Sequence, residues 1–314
     1  MALNYCGLLN LDKPIGLTSR DVVNRVARLV RPAKAGHAGT LDPLATGVLV
    51  VCVGHATRLI AFAQQGQKRY LARFRLGQFS DTDDITGTIT SGGDVSHIDR
   101  AHIDALVPEF IGTVSQVPPQ FSAIHVRGQR AYDLARRGET VDLAARTVTI
   151  HSIIVTDFQS PEFELEIVCG SGTYVRSIGR DLGHRLGCGA IMTHLRRQAV
   201  GPFDAIDAIG PDELTSDNIK RLLQPAIRVV SHFPQRQLTP DEIIAIRRGQ
   251  SILGGGGWRV TSGGSVQHAD TSTEPVGARV ALLGVDGLLL GIGEIDVSND
   301  RIRPRIVFPG ESSS

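Results

Sequence analysis

The chain has 314 residues, 41% apolar and 21% charged, which fits a soluble globular protein long enough for two domains and excludes a disordered or fibrous one. Aromatics make up only 5%, too few to advertise an aromatic platform for stacking bases. The net charge of +1 is uneven: residues 1–200 carry 22 Lys and Arg against 18 Asp and Glu, and residues 201–314 carry 11 against 14.

Only Lys13, Lys34 and Lys68 among those 22 are lysines. The arginine bias suits planar, bidentate contacts to phosphate, and equally the codon usage of a GC-rich genome. None of the cysteines (Cys6, Cys52, Cys169, Cys188) stand at metal-ligand spacing, and Cys52 and Cys169 lie in apolar strand-like runs as small buried hydrophobes. A reduced, cytoplasmic setting is expected. No basic leader opens the chain, and no apolar run reaches the length of a bilayer span, so neither a signal peptide nor a membrane is expected.

Gly7 to Pro14 reads as a short strand ending in a turn. Thr18 or Ser19 then caps a helix running to about Val30, with Val22, Val23, Val26, Leu29 and Val30 as its apolar stripe. Arg25, Arg28 and Arg31 lie off that stripe, as a phosphate-facing edge or a plain solvated face. Val48 to Val53 is a continuous apolar run between Gly47 and Gly54 and reads as a fully buried strand. Gly54 to Ile60 reads as a helix. Residues 69–77 alternate: Tyr70, Ala72, Phe74 and Leu76 on one face, Arg69, Leu71, Arg73 and Arg75 on a basic second face.

Asp81 to Gly87 is an acidic turn. A calcium loop fails there because the glycine is one place late and Gly92 stands where a bidentate Glu is needed, so the aspartates read as turn and cap residues. Residues 99–111 read as a helix. Residues 116–150 form a basic insertion, extended at 117–123, with a hairpin at Gly128 and a helix from Arg130 to Arg137. A strand holding Phe163, Leu165 and Ile167 ends at Cys169, and a helix from Val175 stops at Gly187. Ile191 to Arg197 is a further strand. The proline-containing stretch 201–235 reads as a connector. Beyond it come a helix from Pro240 to Arg248, a flexible insert at 254–275, a hairpin around Asp286-Gly287 and a last strand from Ile302 to Phe308.

Nucleotide-binding glycine loops, zinc motifs and the Gly-x-Ser-x-Gly elbow are all missing, so no cofactor and no metal is implied. What stands out is Asp42, in a glycine-punctuated loop braced by the buried strand. Pro43 keeps it on extended backbone. Taken alone, it reads better as a turn residue than as a reactive carboxylate.

The motifs in order decide between these. Gly36-His37-Ala38-Gly39-Thr40-Leu41-Asp42-Pro43-Leu44-Ala45-Thr46-Gly47 resembles the catalytic motif of the TruB family of tRNA pseudouridine synthases. Leu11-Asp12-Lys13-Pro14 with Gly16-x-Thr18-Ser19, Lys68-Arg69-Tyr70, Pro118-Pro119-x-Phe121-Ser122-Ala123, Gly172-Thr173-Tyr174-Val175-Arg176-Ser177-Ile178 with Asp181-Leu182-Gly183, and Leu195-Arg196-Arg197 resemble that family's further motifs, over roughly residues 5–230. The C-terminal Gly291-Ile292-Gly293 and Arg303 to Phe308 resemble a PUA-type RNA-binding domain.

The resemblance implies an α+β fold. A mixed-sheet catalytic domain with flanking helices would cover 1–230, with the RNA-gripping insertion at 116–150, and a small β-rich PUA-like domain would cover 236–309. It implies conversion of uridine 55 in the T-arm of tRNA to pseudouridine, without cofactor or metal, by a cytoplasmic monomer. Asp42 would be the nucleophile or base, Tyr70 would stack on the flipped uracil, and Arg176 would pair with Asp42, favouring its charged form. His37, Tyr174 and Leu195 would bind the substrate. Arg58, Arg127 and Arg130 would meet the RNA backbone. A guide-RNA-dependent catalytic subunit and a non-catalytic RNA-binding protein are the alternatives.

Overall fold

The structure, a computed structural model, describes residues 5–121, 125–126, 129–130, 137, 142–254, 258–262, 265–269 and 278–309. The strands of its first part are Gly7–Lys13 (β1), Ala35–His37 (β2), Thr46–Val53 (β3), Lys68–Leu76 (β4), Gln78–Ser80 (β5), Ile89–Ser91 (β6), Gly112–Gln116 (β7), His125–Val126 (β8), Gln129–Arg130 (β9), Arg146–Gln159 (β10), Glu162–Cys169 (β11), Ala190–Val200 (β12) and Phe203–Asp204 (β13). The main sheet runs β1-β3-β12-β4-β11-β10-β7, with β2 on β3 and β13 on β12. It is mixed, because β12 pairs with β3 in parallel and with β4 antiparallel.

The apolar run of β3 is continuous because both its faces are buried. Leu49, Val51 and Val53 pack with Val22, Val23 and Val26 of the Ser19–Leu29 helix. Val48, Val50 and Cys52 share a cluster with Ala281, Ile292 and Phe308 from the C-terminal part. The helix starts where expected: Thr18 accepts from the Asp21 N–H while Asp21 accepts from the Thr18 N–H, a capping box worth about 1 kcal/mol.

On β4, Tyr70, Ala72, Phe74 and Leu76 enter the core with Ile178 and Leu182 of the Val175–Arg185 helix. The Phe74 ring stacks on Phe163 at 5.2 Å. The face expected to be basic is neutralised across strands. Arg69 pairs with Asp204 at 2.7 Å, Arg73 with Glu164 at 3.3 Å and Arg75 with Glu162 at 2.7 Å. The acidic partners come from β11 and β13, which the sequence periodicity did not align with β4.

Other expectations need adjusting. Residues 54–59 are a 3-10 helix before an α-helix at Ile60–Gln65, and the 99–111 helix is an α-helix at Arg100–Leu106 followed by a 3-10 turn. The fourteen-residue β10 has no counterpart among the expected strands; it pairs with β11 on one side and β7 on the other. The hairpin at Gly128 is present as β8 against β9. The expected helix at 130–137 lies outside the described residues, apart from Arg130 and Arg137.

The second sheet holds Gln235–Gln237 (β14), Ile252–Leu253 (β15), Trp258–Ser262 (β16), Ser265–Ala269 (β17), Arg279–Leu283 (β18), Leu289–Asp296 (β19) and Arg301–Val307 (β20), in the order β15-β20-β19-β18-β14-β16-β17. Within 254–275, expected as a flexible insert, β16 and β17 pair as a hairpin, and the remainder beyond Gly254 lies outside the described residues. The two parts are packed together. Arg279 lies over the Phe62 ring at 4.9 Å, and Arg58 donates to the Val307 carbonyl at 2.7 Å.

Candidate active site

The loop carrying Asp42 is held at many points by backbone-directed donors. The Ser19 hydroxyl, at the start of the first helix, both accepts from the Leu41 N–H (2.8 Å) and donates to the Leu41 carbonyl (3.1 Å). The Gly16 N–H donates to the Pro43 carbonyl at 2.8 Å. The Lys13 ammonium donates to the carbonyls of Leu17 (2.7 Å) and Pro14 (2.9 Å), with Pro43 further off at 3.5 Å. The N-terminal Lys-Pro and Thr-Ser motifs therefore brace the Asp42 loop from below.

Arg176 enters from the first turn of the Val175–Arg185 helix, and its guanidinium is almost fully buried. One nitrogen lies 2.9 Å from an Asp42 oxygen and donates to the Phe121 carbonyl at 3.1 Å. The other lies 3.5 Å from Asp84 and donates to the Thr82 carbonyl at 2.8 Å. Asp84, read from sequence as a turn residue, is thus a buried partner of the site arginine. Asp83, with φ of 60°, pairs with Arg180 at 2.9 Å. The reading of these aspartates as turn and cap residues holds, with Asp84 accepting from the Thr86 N–H at 2.9 Å and Asp81 from the Thr88 N–H at 2.8 Å, but it is incomplete: the turn also delivers two carboxylates to two arginines one helical turn apart. Three negative charges in four residues were the available signal.

The sheet order gathers the rest. Tyr70 on β4 is the cross-strand partner of Arg197 on β12, and Arg197 is in turn the parallel partner of Gly47 on β3. Tyr70 and Leu195 are buried in the same cluster as Leu41. Burial pushes the Tyr70 phenol above its ordinary pKa, against an opposing pull from the Arg197 guanidinium. Tyr174 caps the arginine helix; its N–H donates to the Gln116 side chain at 2.8 Å and its carbonyl accepts from it at 3.0 Å, tying the base of the insertion to the site. His37 is half-buried on β2. Its Nδ1 has no hydrogen-bond partner among the described residues, and burial, then Arg20 and Arg197, lower its pKa against a smaller opposing effect from the Gly39 backbone.

Arg58 is directed to the C-terminal part through Val307, not presented as an unattached guanidinium. Arg127 and the Arg130 side chain lie outside the described residues. Buried Lys13 and Lys68 are both pushed down to about 8, chiefly by desolvation. Among the described residues no cluster of His, Cys, Asp and Glu could hold a metal ion, and no helix is long and apolar enough to cross a membrane.

Known proteins resemble this chain along most of its length. The family description "TruB family pseudouridylate synthase (N terminal domain)" matches residues 27–175, and "tRNA pseudouridylate synthase B C-terminal domain" matches 176–230. A protein of Thermobifida fusca named tRNA pseudouridine synthase B is 42% identical over 97% of this chain and 99% of its own length. One of Gloeobacter violaceus with the same name is 49% identical over 65% of this chain and 71% of its own. Among solved structures, a chain from an H/ACA RNP bound to a substrate RNA containing 2′-deoxyuridine superposes with a TM-score of 0.72 at 25% identity, covering 98% of this chain and 86% of that one. A chain of a Cbf5-Nop10-Gar1 complex gives 0.69 at 26% identity, covering 96% and 84%.

Proposed function

The chain belongs to the TruB family of pseudouridine synthases, and from that premise we propose that it isomerises uridine 55 in the T-loop of tRNA to pseudouridine, with Asp42 as the reacting carboxylate. The observation that carries the reading is the 2.9 Å pair between Asp42 and a buried Arg176, in a loop braced from three other elements.

In this reaction the N1–C1′ bond breaks, the uracil turns, and a C5–C1′ bond forms. The C5 proton is lost and N1 gains one, so no redox cofactor is needed. Asp42 acts as the nucleophile at the sugar or base, or as the base of a glycal route. A uridine inside a folded loop must first be extruded, at roughly a few kcal/mol. Stacking on the Tyr70 ring returns about 1–3 kcal/mol of that. A phenol is protonated at neutral pH at its ordinary pKa of 10.0, and burial pushes Tyr70 further the same way, which suits a donor or relay in the last proton transfer. Tyr174 and Leu195 line the pocket, and His37 sits where displaced nucleotides would be held. The bracing of the loop supplies preorganisation, which is worth most when the reacting atoms must be placed to a fraction of an ångström.

The match to a tRNA pseudouridine synthase B at 42% identity over 97% of this chain, against 25% to the ribonucleoprotein chain, supports a cytoplasmic enzyme that acts without a guide RNA. The purified protein is incubated with tRNA transcript tritiated at uridine C5. Tritium release by the wild type alone, and none by Asp42→Asn with tRNA still bound, is expected. Release only with an added guide RNA, or no release at all, would overturn the reading.

A further inference from the structure

Lys13, Lys68 and Arg197 are all buried, and Arg197 lies near enough to both lysines to help lower their pKa values. Among the described residues Arg197 is the largest fully buried side chain, only 1% exposed. Among the described residues no carboxylate forms an ion pair with it. A buried guanidinium without a counter-ion is costly, and such a group persists only where its hydrogen bonds are well made and the position demands it.

Its contacts show what the position demands. Nε donates to the Val48 carbonyl at 2.7 Å, and Nη2 donates to the Gly39 carbonyl at 3.2 Å. Gly39 and Val48 are the two feet of the loop that carries Asp42. One planar side chain thus joins where the loop leaves β2 and where it enters β3. The backbone of Arg197 also lies against Gly47, so closely that a Cβ there would stand 2.2 Å from the Arg197 carbonyl oxygen. Across the strand pair its partner is Tyr70, and the guanidinium draws the Tyr70 phenol pKa down against the effect of burial. It does not reach the Asp42 carboxylate.

Resting on the reading of Asp42 and Tyr70 as the reacting pair, we propose that Arg197 is a positioning residue for the isomerisation, clasping both feet of the Asp42 loop and registering that loop against Tyr70. The guanidinium suits this because its donors are fixed in a plane and point in different directions, whereas an ammonium is a single compact donor centre. Arg197 is set apart from its neighbour Arg196, whose guanidinium pairs with Asp12 at 2.8 Å and is 41% exposed.

The test compares wild type, Arg197→Lys and Arg197→Gln in single-turnover pseudouridine formation, tRNA binding and thermal melting. Expected are folded variants whose tRNA Kd stays within about threefold while the rate constant falls about 100-fold, the size of loss that a small misplacement of reacting groups produces. The Lys variant should remain impaired despite its charge. As a second measurement, adding Arg197→Lys to Tyr70→Phe should cost much less than the product of the two single losses, because both act on one contact. Rates that merely track the folded fraction, variants that do not fold at all, wild-type turnover in Arg197→Lys, or fully multiplicative losses would each overturn the inference. An inactive wild type would overturn the proposed function first, and this inference with it.

Discussion

Nη2 of Arg176 sits 2.9 Å from Oδ2 of Asp42, yet the arginine side chain is 6% exposed and the carboxylate 41%. The cation is fixed in the protein while the carboxylate is partly open to solvent. What fixes the cation is Asp84, itself 5% exposed, together with the Thr82 carbonyl. Removing Arg176 therefore does two separable things. Arg176→Ala strips Asp42 of its partner and leaves the buried Asp84 carboxylate with its hydrogen bonds from Thr82 and Thr86 but without its arginine, which should cost on the order of 3 kcal/mol of stability. Adding Asp84→Asn should recover much of that stability, read by denaturant titration, without restoring tritium release. Turnover should fall at least about 100-fold in both, with tRNA binding little changed. Full activity in Arg176→Ala would remove the ion pair from the mechanism.

Lys13 gives a pH prediction. Its folded-state pKa lies at about 8, below its ordinary 10.5, because burial outweighs the attraction of Asp42. Below pH 8 both the folded and unfolded chains carry the proton, and the penalty for burying the charge is fully present. As pH rises from 8 toward 10.5 the folded chain releases the proton first, so this site's contribution to stability rises. Lys13→Met removes the titration. The stability of that variant relative to wild type should therefore decline across this window, whatever the sign at neutral pH. Lys68 titrates in the same range in both proteins and cancels in the comparison. A difference that stays flat from pH 7 to 10 would show that Lys13 keeps its ordinary pKa.

How much of this was readable from sequence depended on whether the signal was local. The buried strand Val48–Val53, the Thr18 cap and the alternation of Tyr70 to Leu76 are local patterns, and each formed as read. The partners of Asp42 were legible only through resemblance, because the β3-β12-β4-β11 order brings together motifs that no periodicity connects. Asp84 went unread because a turn aspartate and a buried counter-ion look alike until the arginine is placed beside it. Arg197 left one trace: it shares a strand face with buried Leu195 two residues away. The arginines of β4 misled for the complementary reason, their acidic partners lying on other strands.

Arg58 illustrates that last point in the opposite direction. A guanidinium close in sequence to the Asp42 loop suggests a phosphate contact, but this one donates to the Val307 carbonyl on β20, 249 residues along the chain. Arg58→Ala should lower stability by about 1 kcal/mol, the net worth of such a bond. The slope of log Kd for tRNA against log salt concentration should stay as in wild type. A slope shallower by nearly one unit would return Arg58 to the RNA backbone.

Gly47 is the most exacting position in the loop. Its φ is +97°, a region that side chains disfavour, and a Cβ there would meet the Arg197 carbonyl oxygen at 2.2 Å and the Arg197 nitrogen at 2.9 Å. Both obstacles are backbone atoms of β12, which cannot swing aside as the end of a flexible side chain can. Gly47→Ala must therefore separate β3 from β12 or re-form the foot of the Asp42 loop. The expected cost is on the order of 3 kcal/mol, at the upper end for overpacking because backbone strain is added. Gly172→Ala serves as the control: φ is +85°, but nothing lies within 4 Å of the added Cβ, so only the conformational part of the penalty applies. If the loop foot is what shifts, Gly47→Ala should lose turnover beyond its loss of folded protein, and Gly172→Ala should melt closer to wild type. Equal melting of the two variants would mean that the approach of β12 to Gly47 contributes nothing, and that φ alone requires glycine there.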